Sequence, residues 1–271
     1  MINLAPITNC SKREFDKIRA AKNNPHKCNL NYLANDIHKR YDLYSENFEN
    51  NTFEKILPEK FKFSASIKSC YNSTTDALDN LKISIKKNQL EISHKICQYC
   101  GINTDDQIDH YLPKEEFLDF NVHSLNMIPC CARCNQNKGQ YWIDKFTNEK
   151  GIINLYRDEL VRVQYLFVNI KFSGGIFIGN YYLENSNNIP QSQYRQICNH
   201  YKQLDLIERY NDLLPGLYES DQRIIDSFKS SQTDMQIKQS LTRLYESDSE
   251  VLGINNYKVV ARRGIANRFP F

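Results

Sequence analysis

The chain has 271 residues and a net charge of +3, and 41% of its residues are hydrophobic and 12% aromatic. This composition is typical of a folded protein, and the length allows one to three compact units. The sequence contains no run of about 18 apolar residues, and its first residues, MINLAPITNCSKREF, lack the apolar core of a signal peptide. We therefore expect a cytoplasmic protein without a membrane span.

The first 93 residues predict a helical region. Apolar residues recur every three or four positions from Cys28 to Phe48, and more loosely from Thr75 to Ile92, just after a run of candidate N-cap residues, 73–76. Such stripes belong more often to a core or a partner-facing surface than to a catalytic site. Several basic residues in this region could contact phosphates, although a solvated face is the plainer interpretation: Lys55, Lys60, Lys62 and Lys68.

Two CxxC pairs stand in the middle of the chain, Cys97 with Cys100 and Cys131 with Cys134. Thiolates at this spacing can hold one tetrahedral zinc ion, and cysteines in a reducing compartment are commonly used for metal binding. The alternative is a set of buried free thiols. Cys130 stands beside Cys131, and we favour Cys131 as the ligand because only it forms a CxxC pair with Cys134.

The 30 residues between the two pairs predict the order strand, loop, strand, with a helix after them. Gln107 to Pro113 is rich in β-branched and aromatic residues and stops at a proline, and Leu125 to Pro129 gives a second short strand. A helix is expected from Cys131 onward, ended or weakened by Gly139. Because side chains alternate along a strand, neighbouring Asp109 and His110 should point to opposite faces.

The segments CQYCG, IDHYLPK and NMIPCCARCNQNKG resemble, in order and offset, the HNH nucleases, whose active site is a ββα unit around one catalytic metal ion. The resemblance covers about fifty residues and departs from the family at Cys130, where an aliphatic residue is usual. It implies an α+β fold with three regions. These are a helical region (1–93), a zinc-stapled ββα-metal nuclease module (94–146) and a region of mixed strands and helices (147–271).

The resemblance also implies a role for each polar residue of the module. His110 would be the general base that takes a proton from water, and Asp109 and Asn135 would ligate a catalytic Mg²⁺ or Mn²⁺. Asn126 would fix the hairpin by hydrogen bonds across the loop. Lys138 lies three residues after Asn135, so both could face the phosphate. The residues expected to bind substrate are Lys114, Arg133 and Lys138.

Each of these roles has a plainer alternative. Asn135 could be only a helix cap, Asn126 a turn residue, and Lys138 an ordinary surface lysine. Asp109 could be a solvated carboxylate at a strand edge, and His110 an ordinary strand histidine. Two further histidines offer other ligand sets, because His123 in the loop could replace a metal ligand and His94 could compete for the zinc.

In the last part of the chain, the spacing of apolar residues first becomes strand-like. Strands are expected over Ile152–Tyr156, Tyr165–Phe172 and Ile176–Leu183, the last two joined through the turn residues 173–175. Helical spacing returns over Tyr194–Leu214 and Asp221–Tyr245. The final residues, YKVVARRGIANRFPF, are basic without an acid, which predicts a segment that binds nucleic acid or a partner, or else a frayed tail.

These features predict a metal-dependent HNH endonuclease that hydrolyses phosphodiester bonds, with DNA expected before RNA. Residues 97–150 contain five basic and eight acidic residues, so other regions or a partner should supply the positive surface. The overall layout of the chain and its segments IDHYLPK and IPCCARCN also resemble, more loosely, the nuclease subunits of Septu-type anti-phage systems. That resemblance implies a defence complex with an ATPase partner.

Three other readings stay open. The chain could be a catalytically silent zinc ribbon that only binds nucleic acid or protein. It could be an assembly subunit, including a homo-oligomer, that docks through its helices. It could also be a self-sufficient restriction or homing nuclease. No P-loop is present in the sequence, so nucleotide hydrolysis would come from another chain.

Overall fold

The computed structural model describes residues 1–8, 10–89, 95–174 and 176–270. The chain forms two compact units: the N-terminal unit, Asn3–Glu159, and the C-terminal unit, Met1–Ile2 with Leu160–Phe271. Both units combine helices with two-stranded antiparallel sheets, which confirms the α+β prediction. The expected boundary at 93/94 lies outside the described residues, and the expected boundary at 146/147 falls within the N-terminal unit.

The N-terminal unit begins with four helices, of which the last starts at a side-chain N-cap. Thr75 accepts a hydrogen bond from the backbone N–H of Leu78 at 3.2 Å and starts α4, which carries acids in its first turn and lysines in its last. Leu90 and Ile92, which we placed in this helix, lie outside the described residues. The helices are α1 (Ser11–Ala20), α2 (His26–Asn50), α3 (Ser64–Asn72) and α4 (Asp76–Lys87).

An aromatic core fills the N-terminal unit. The predicted stripe of α2 is buried, and its tyrosine Tyr44 meets the rings of Phe53, Phe120 and His123 with centroids 5.5, 4.9 and 4.2 Å apart. Aromatic pairs at such separations stabilise a fold by about 0.5–1.5 kcal/mol each beyond the area that they bury. Helix α2 therefore holds the loop that contains Phe120 and His123.

Two short strands and a helix follow in the predicted order. Strand β1 (Gln107–His110) pairs antiparallel with β2 (Met127–Cys130), and α5 (Ala132–Lys138) packs on β1. Both strands are shorter than predicted, since β1 ends at His110 and residues 124–126 form a 3₁₀ turn instead of the start of β2. A further pair, β3 (Ile143–Asp144) and β4 (Glu149–Lys150), follows α5.

The strand expected over Ile152–Tyr156 is absent from the described structure, where this segment forms turns. Side chains take over the backbone groups that a ladder would have used. Asp158 Oδ2 accepts from the N–H of Asn154 at 2.8 Å, and Asn154 Oδ1 accepts from the N–H of Tyr156 at 3.0 Å. Asn and Asp side chains compete in this way with sheet hydrogen bonds, so the apolar residues are buried without forming a strand.

The C-terminal unit contains the predicted hairpin of β5 (Leu166–Ser173) and β6 (Ile176–Leu183), paired from Leu166↔Leu183 to Ser173↔Ile176. Gly174 has a φ of 58° in the turn, and Gly175 lies outside the described residues. The hairpin confirms the last two predicted strands. The helices of this unit are α6 (Gln191–Gln203), α7 (Leu206–Phe228), α8 (Asp234–Leu252) and α9 (Tyr257–Arg268).

Two segments that we predicted as single helices are each interrupted in the structure. The expected helix Tyr194–Leu214 is divided because Asp205 adopts a left-handed φ of 56° between α6 and α7. The expected helix Asp221–Tyr245 is divided because α7 ends at Phe228 and a capping box of Thr233 and Gln236 starts α8. The described part of the chain holds no helix with the length and apolar content needed to cross a membrane.

The basic C-terminal segment is not a frayed tail. It forms α9, which packs against β5, α7 and α8 and buries Val259, Val260 and Ile265. Arg262 donates to Asp221 through Nε and Nη2 at 3.0 and 2.9 Å and to Asp248 through Nη1 at 2.5 Å. Its charge is therefore used inside the unit.

Candidate metal centre and active site

The four predicted cysteines form a buried cluster. The sulfur atoms of Cys97, Cys100, Cys131 and Cys134 all lie within 4.8 Å of one another, and the Cys100 and Cys131 sulfurs are 3.9 Å apart. Zn–S bonds of about 2.3 Å in a tetrahedron place the sulfurs about 3.8 Å apart. The donor set and its spacing fit a zinc ion, and the prediction of a cluster that could hold zinc is confirmed.

Local backbone geometry produces this cluster. At the first pair, the carbonyl of Cys97 accepts from the N–H groups of Cys100 and Gly101 at 3.3 and 2.7 Å, and Gly101 has a φ of 68° that favours glycine. At the second pair, Cys131 caps α5 and its sulfur accepts from the N–H of Cys134 at 3.5 Å. Both turns aim two sulfurs at one point.

Hydrogen bonds within the cluster favour the thiolate at Cys131 and disfavour it at Cys97 and Cys134, where the bond with Cys100 makes the largest contribution to raising the pKa. A hydrogen bond from Cys100 makes the largest contribution to lowering the pKa of Cys131, and bonds from Cys134 and Cys97 act in the same direction. The N–H of Ile102 also points at the Cys100 sulfur at 3.4 Å. Since the thiolate is the form that binds metal, this environment suits a metal ligand.

Cys130 takes no part in the cluster. It lies at the end of β2 opposite Gln107 and is fully buried, and burial raises the pKa of its thiol. A neutral buried thiol behaves as a small apolar side chain. The preference for Cys131 as the member of the CxxC pair is therefore confirmed. His94, the other competitor for the zinc, lies outside the described residues.

Asp109 lies on β1, opposite Ile128, and is 3% exposed. Its Oδ2 accepts from the hydroxyl of Tyr99 at 3.0 Å, and its Oδ1 accepts from the ammonium of Lys138 at 3.1 Å. The carboxylate is thus desolvated and balanced by one cation. It is not the solvated strand-edge group that we considered as an alternative.

His110 is buried on the other face of β1, and its Nε2 lies 2.8 Å from the carbonyl oxygen of Asn121. Because a carbonyl only accepts, Nε2 carries the proton, and Nδ1 is the basic nitrogen of the neutral ring. Burial lowers the pKa of His110 to about 4, against the raising effects of the Asn121 bond and of Asp109. The ring is therefore neutral at pH 7.

Asn121 is a positioning residue that the sequence did not single out. Its Nδ2 donates to the carbonyl of Ile67 in α3 at 2.9 Å, while its own carbonyl orients His110. A backbone carbonyl in a loop gives no signal in a single sequence, because any residue type supplies one. The nearby Tyr71 was missed as well, and its ring meets the His110 ring edge-on at 4.5 Å.

Asn126 makes the cross-loop hydrogen bonds that we expected of it. Its Oδ1 accepts from the N–H of Leu112 at 2.7 Å, and its Nδ2 donates to the carbonyls of Leu112 and Phe120 at 3.0 and 3.1 Å. Tyr44 of α2 donates to the same Oδ1 at 3.2 Å. Asn126 is fully buried and connects the end of β1, the loop and α2.

The remaining residues of the predicted site differ in their exposure to solvent. Asn135 is half-buried and donates to Gln107 Oε1 at 2.8 Å, and no hydrogen bond joins Asn135 to Asp109 in the described structure. Lys138 is only 1% exposed, so it does not face an external phosphate as predicted. Arg133 is exposed on α5 and Lys114 is half-buried after β1.

His123 is separate from the site. It is fully buried among the rings of Tyr41, Tyr44 and Phe120, and burial lowers its pKa to about 3. Among the described histidines, cysteines and acids, only the four-cysteine cluster has metal-binding geometry. His123 is therefore a core residue and does not join a ligand set there.

Comparison with known proteins gives two partial similarities. The chain is 29% identical over 116 residues to Protein ea31 of Escherichia phage lambda, which covers 42% of this chain and 39% of that protein. It is 36% identical over 62 residues to Septu protein PtuB of Bacillus thuringiensis, which covers 21% of this chain and 24% of that protein. The chain thus matches well under half the length of either relative. No protein-family model and no solved structure matches it significantly.

Proposed function

We propose that this chain is a metal-dependent nuclease of the HNH type that hydrolyses phosphodiester bonds in nucleic acid, DNA before RNA. The observation that carries the proposal is the bond from His110 Nε2 to the carbonyl of Asn121 at 2.8 Å. It orients a neutral imidazole with Nδ1 as its basic nitrogen, and Asp109 projects from the next position of the same strand. A purely structural zinc ribbon needs neither feature.

The chemistry assigned to the residues follows from their protonation and donor types. His110, with a pKa of about 4, is in its base form at pH 7 and can accept a proton from a water at Nδ1. Asp109 and Asn135 offer the oxygen donors that Mg²⁺ or Mn²⁺ favours. When bound, such an ion would stabilise the charge that develops on the phosphate.

The Lys138 ammonium group would compete with a metal ion for the carboxylate of Asp109. It lies 3.1 Å from Asp109 Oδ1, so this carboxylate already faces a positive charge in a buried setting. A divalent ion at Asp109 would require Lys138 to yield part of that contact. The four-cysteine cluster, by contrast, is proposed only as a structural zinc site that holds α5 to the turn before β1.

The similarity to Septu protein PtuB supports a biological setting for the nuclease. We propose that the chain serves in a bacterial anti-phage defence complex in which an ATPase partner controls cleavage. The balance of five basic and eight acidic residues over 97–150 supports a need for other surfaces to hold the substrate.

The test is Mg²⁺- or Mn²⁺-dependent cleavage of plasmid DNA and of total tRNA by wild-type protein and by His110→Ala. The exposed-site variant Lys145→Ala is the matched control, and all three proteins should contain about one zinc ion per chain. We expect cleavage by the wild type and the control and none by His110→Ala. Cleavage that survives in a folded His110→Ala protein would refute the assignment.

A second function is supported by the buried pair of Lys138 and Asp109. If that pair is permanent, the chain is a catalytically silent zinc ribbon that binds nucleic acid or protein. Zinc-loaded wild-type protein that leaves both substrates intact, alone and with the products of neighbouring genes, would favour this function. Sequence-specific cutting without any partner would instead favour a self-sufficient restriction or homing nuclease.

A further inference from the structure

A groove of about 540 Å³ opens beside the ββα module, and the described residues form both of its walls. Helix α4 provides one wall through Lys82, Ile83 and Lys86, next to Tyr71 at the end of α3. The other wall is the start of β1 together with Asn135 of α5. The groove thus joins the N-terminal helices to a residue of the predicted site.

Two lysines converge on the Tyr71 ring, Lys82 from within the groove lining and Lys114 from outside it. The ammonium groups of Lys82 and Lys114 each lie 4.9 Å from the centroid of the Tyr71 ring, a distance at which a cation is attracted to the ring. Both lysines are half-buried, and neither has a carboxylate within 4.0 Å in the described part of the chain. These two charges are held in place without an acidic partner.

Two acids, Asp79 and Asp106, also line the groove. Asp106 accepts a hydrogen bond from the N–H of Ala132 at the start of α5. Lys86 adds an ammonium group, which donates to the carbonyl of Asp105 at 2.5 Å. The lining therefore contains two ammonium groups and two carboxylates, with an apolar edge at Ile83, which is 48% exposed. Lys114, which reaches the Tyr71 ring from outside the lining, adds one further positive charge.

We propose that this lysine–tyrosine groove binds the sugar–phosphate backbone of the nucleic-acid strand that reaches His110. Lys82 and Lys114 each contact a phosphate, and Tyr71 positions both of them. The inference rests on the proposed nuclease function and adds the surface that the acidic module lacks. Positive grooves with an interleaved aromatic ring are a common way to hold a strand without reading its sequence.

The position of Tyr71 supports this assignment. Its ring lies against that of His110 at 4.5 Å, and its hydroxyl donates to the carbonyl of Ile108 on β1 at 3.5 Å. A phosphate held at the Tyr71 lysines is therefore next to the base proposed for cleavage. Lys82 and Lys114 contact the strand and not the reacting atoms, and Tyr71 is a positioning residue that acts through them.

The test is binding of a fluorescein-labelled oligonucleotide, single-stranded and duplex, at several salt concentrations without added Mg²⁺. The full chain is compared with Lys82→Gln, Lys114→Gln and the double variant. Lys87→Gln is the matched control, since Lys87 is exposed one residue beyond Lys86. Each lost phosphate contact should reduce the slope of log affinity against log salt by about 0.7 to 0.9, and the double variant by about twice that. Lys87→Gln should keep the wild-type slope.

Variants of Tyr71 test whether its ring positions the two lysines, because they leave the number of charges unchanged. Tyr71→Phe keeps the ring and should bind as the wild type does, whereas Tyr71→Leu should show a weaker salt dependence at an unchanged melting temperature. If the wild type binds and the double variant matches Lys87→Gln in slope, the groove assignment is wrong while the nuclease proposal stands. If the wild type binds neither form of the oligonucleotide, the groove assignment is wrong, and the nuclease proposal is decided separately by the cleavage test with His110→Ala.

Discussion

The ammonium of Lys138 lies 3.1 Å from Asp109 Oδ1 and 2.7 Å from the carbonyl oxygen of His110. One buried cation thus satisfies the acid and the backbone of two consecutive residues on β1. Neither Lys138 nor Asp109 has a side chain more than 3% exposed. The charge state of the predicted site is therefore set from within the fold, before any ligand arrives.

Replacing Lys138 by Met should destabilise the N-terminal unit by about 3–5 kcal/mol, because it leaves the Asp109 carboxylate buried without its cation. Denaturant unfolding measures the change, with the exposed-site variant Lys145→Met as control. The double variant with Asp109→Asn should recover part of the loss, since no charge is then left unpaired. A loss of under 1 kcal/mol in Lys138→Met would show that the pair is not formed in solution.

The four-cysteine cluster predicts which thiols hold zinc. Cys131→Ala should purify with far less than one zinc per chain and unfold at a lower temperature, because three thiolates make an incomplete tetrahedron. Cys130→Ala removes an equally buried thiol outside the cluster and should keep its zinc. Metal analysis of the two purified proteins distinguishes them. Zinc lost only from Cys130→Ala would reverse the ligand assignment.

Acid should destabilise the N-terminal unit through His123. Its pKa is lowered to about 3 in the folded protein by burial, against about 6.5 when unfolded, so the unfolded state binds the proton first as pH falls. Its contribution to stability is present above about pH 6.5 and is lost from there down to about pH 3.

His123→Phe keeps a ring in the aromatic cluster and removes this titration. Relative to the wild type, the variant should gain about 2 kcal/mol between pH 7.5 and pH 5. Denaturant unfolding gives the change in unfolding free energy between the two pH values for each protein separately. The cost of altered packing in the variant is the same at both pH values and therefore cancels. An unchanged difference at both values would show that His123 is protonated in the folded protein.

Arg262 should stabilise the C-terminal unit through its three hydrogen bonds to Asp221, which is 2% exposed. Arg262→Ala should cost about 3–5 kcal/mol, because it leaves that acid buried and unpaired. Arg262→Lys should recover little, since an ammonium cannot reproduce the forked geometry. The exposed Lys258 of the same helix provides the control variant Lys258→Ala, and thermal unfolding compares the three. Equal stability of all three would contradict the observed pairing.

The periodicity of apolar residues and the spacing of the cysteines predicted those parts of the fold that depend on local sequence. The stripe of α2 follows from apolar residues at every third or fourth position, and the bounds of β6 follow from a strand-like run that begins after turn residues. The cysteine cluster follows from a spacing that one ion imposes. Asp109 and His110 occupy opposite faces of β1 because side chains alternate along a strand. These features need no knowledge of distant partners.

The remaining features depend on tertiary contacts. Lys138 was expected beside Asn135 at the surface, but the inward face of α5 pairs it with Cys134, four residues earlier, and both are buried. The carbonyl of Asn121 and the hydroxyl of Tyr71 reach β1 from loops and helices far apart in sequence. At Ile152–Tyr156, the side chains of Asn154 and Asp158 bond the backbone and prevent the strand that the apolar residues suggested.

The hydrogen bond from Tyr44 to Asn126 has an evolutionary consequence. A gene fragment encoding only the cysteine pairs and the Asp109–His110 strand would inherit every motif residue, yet it would lose the tyrosine of α2 that holds the hairpin loop. A recombination breakpoint between Tyr44 and Asn126 would therefore separate the hairpin loop from the side chain that holds it. The compact unit that contains both residues is about three times as long as the motif by which it would be found.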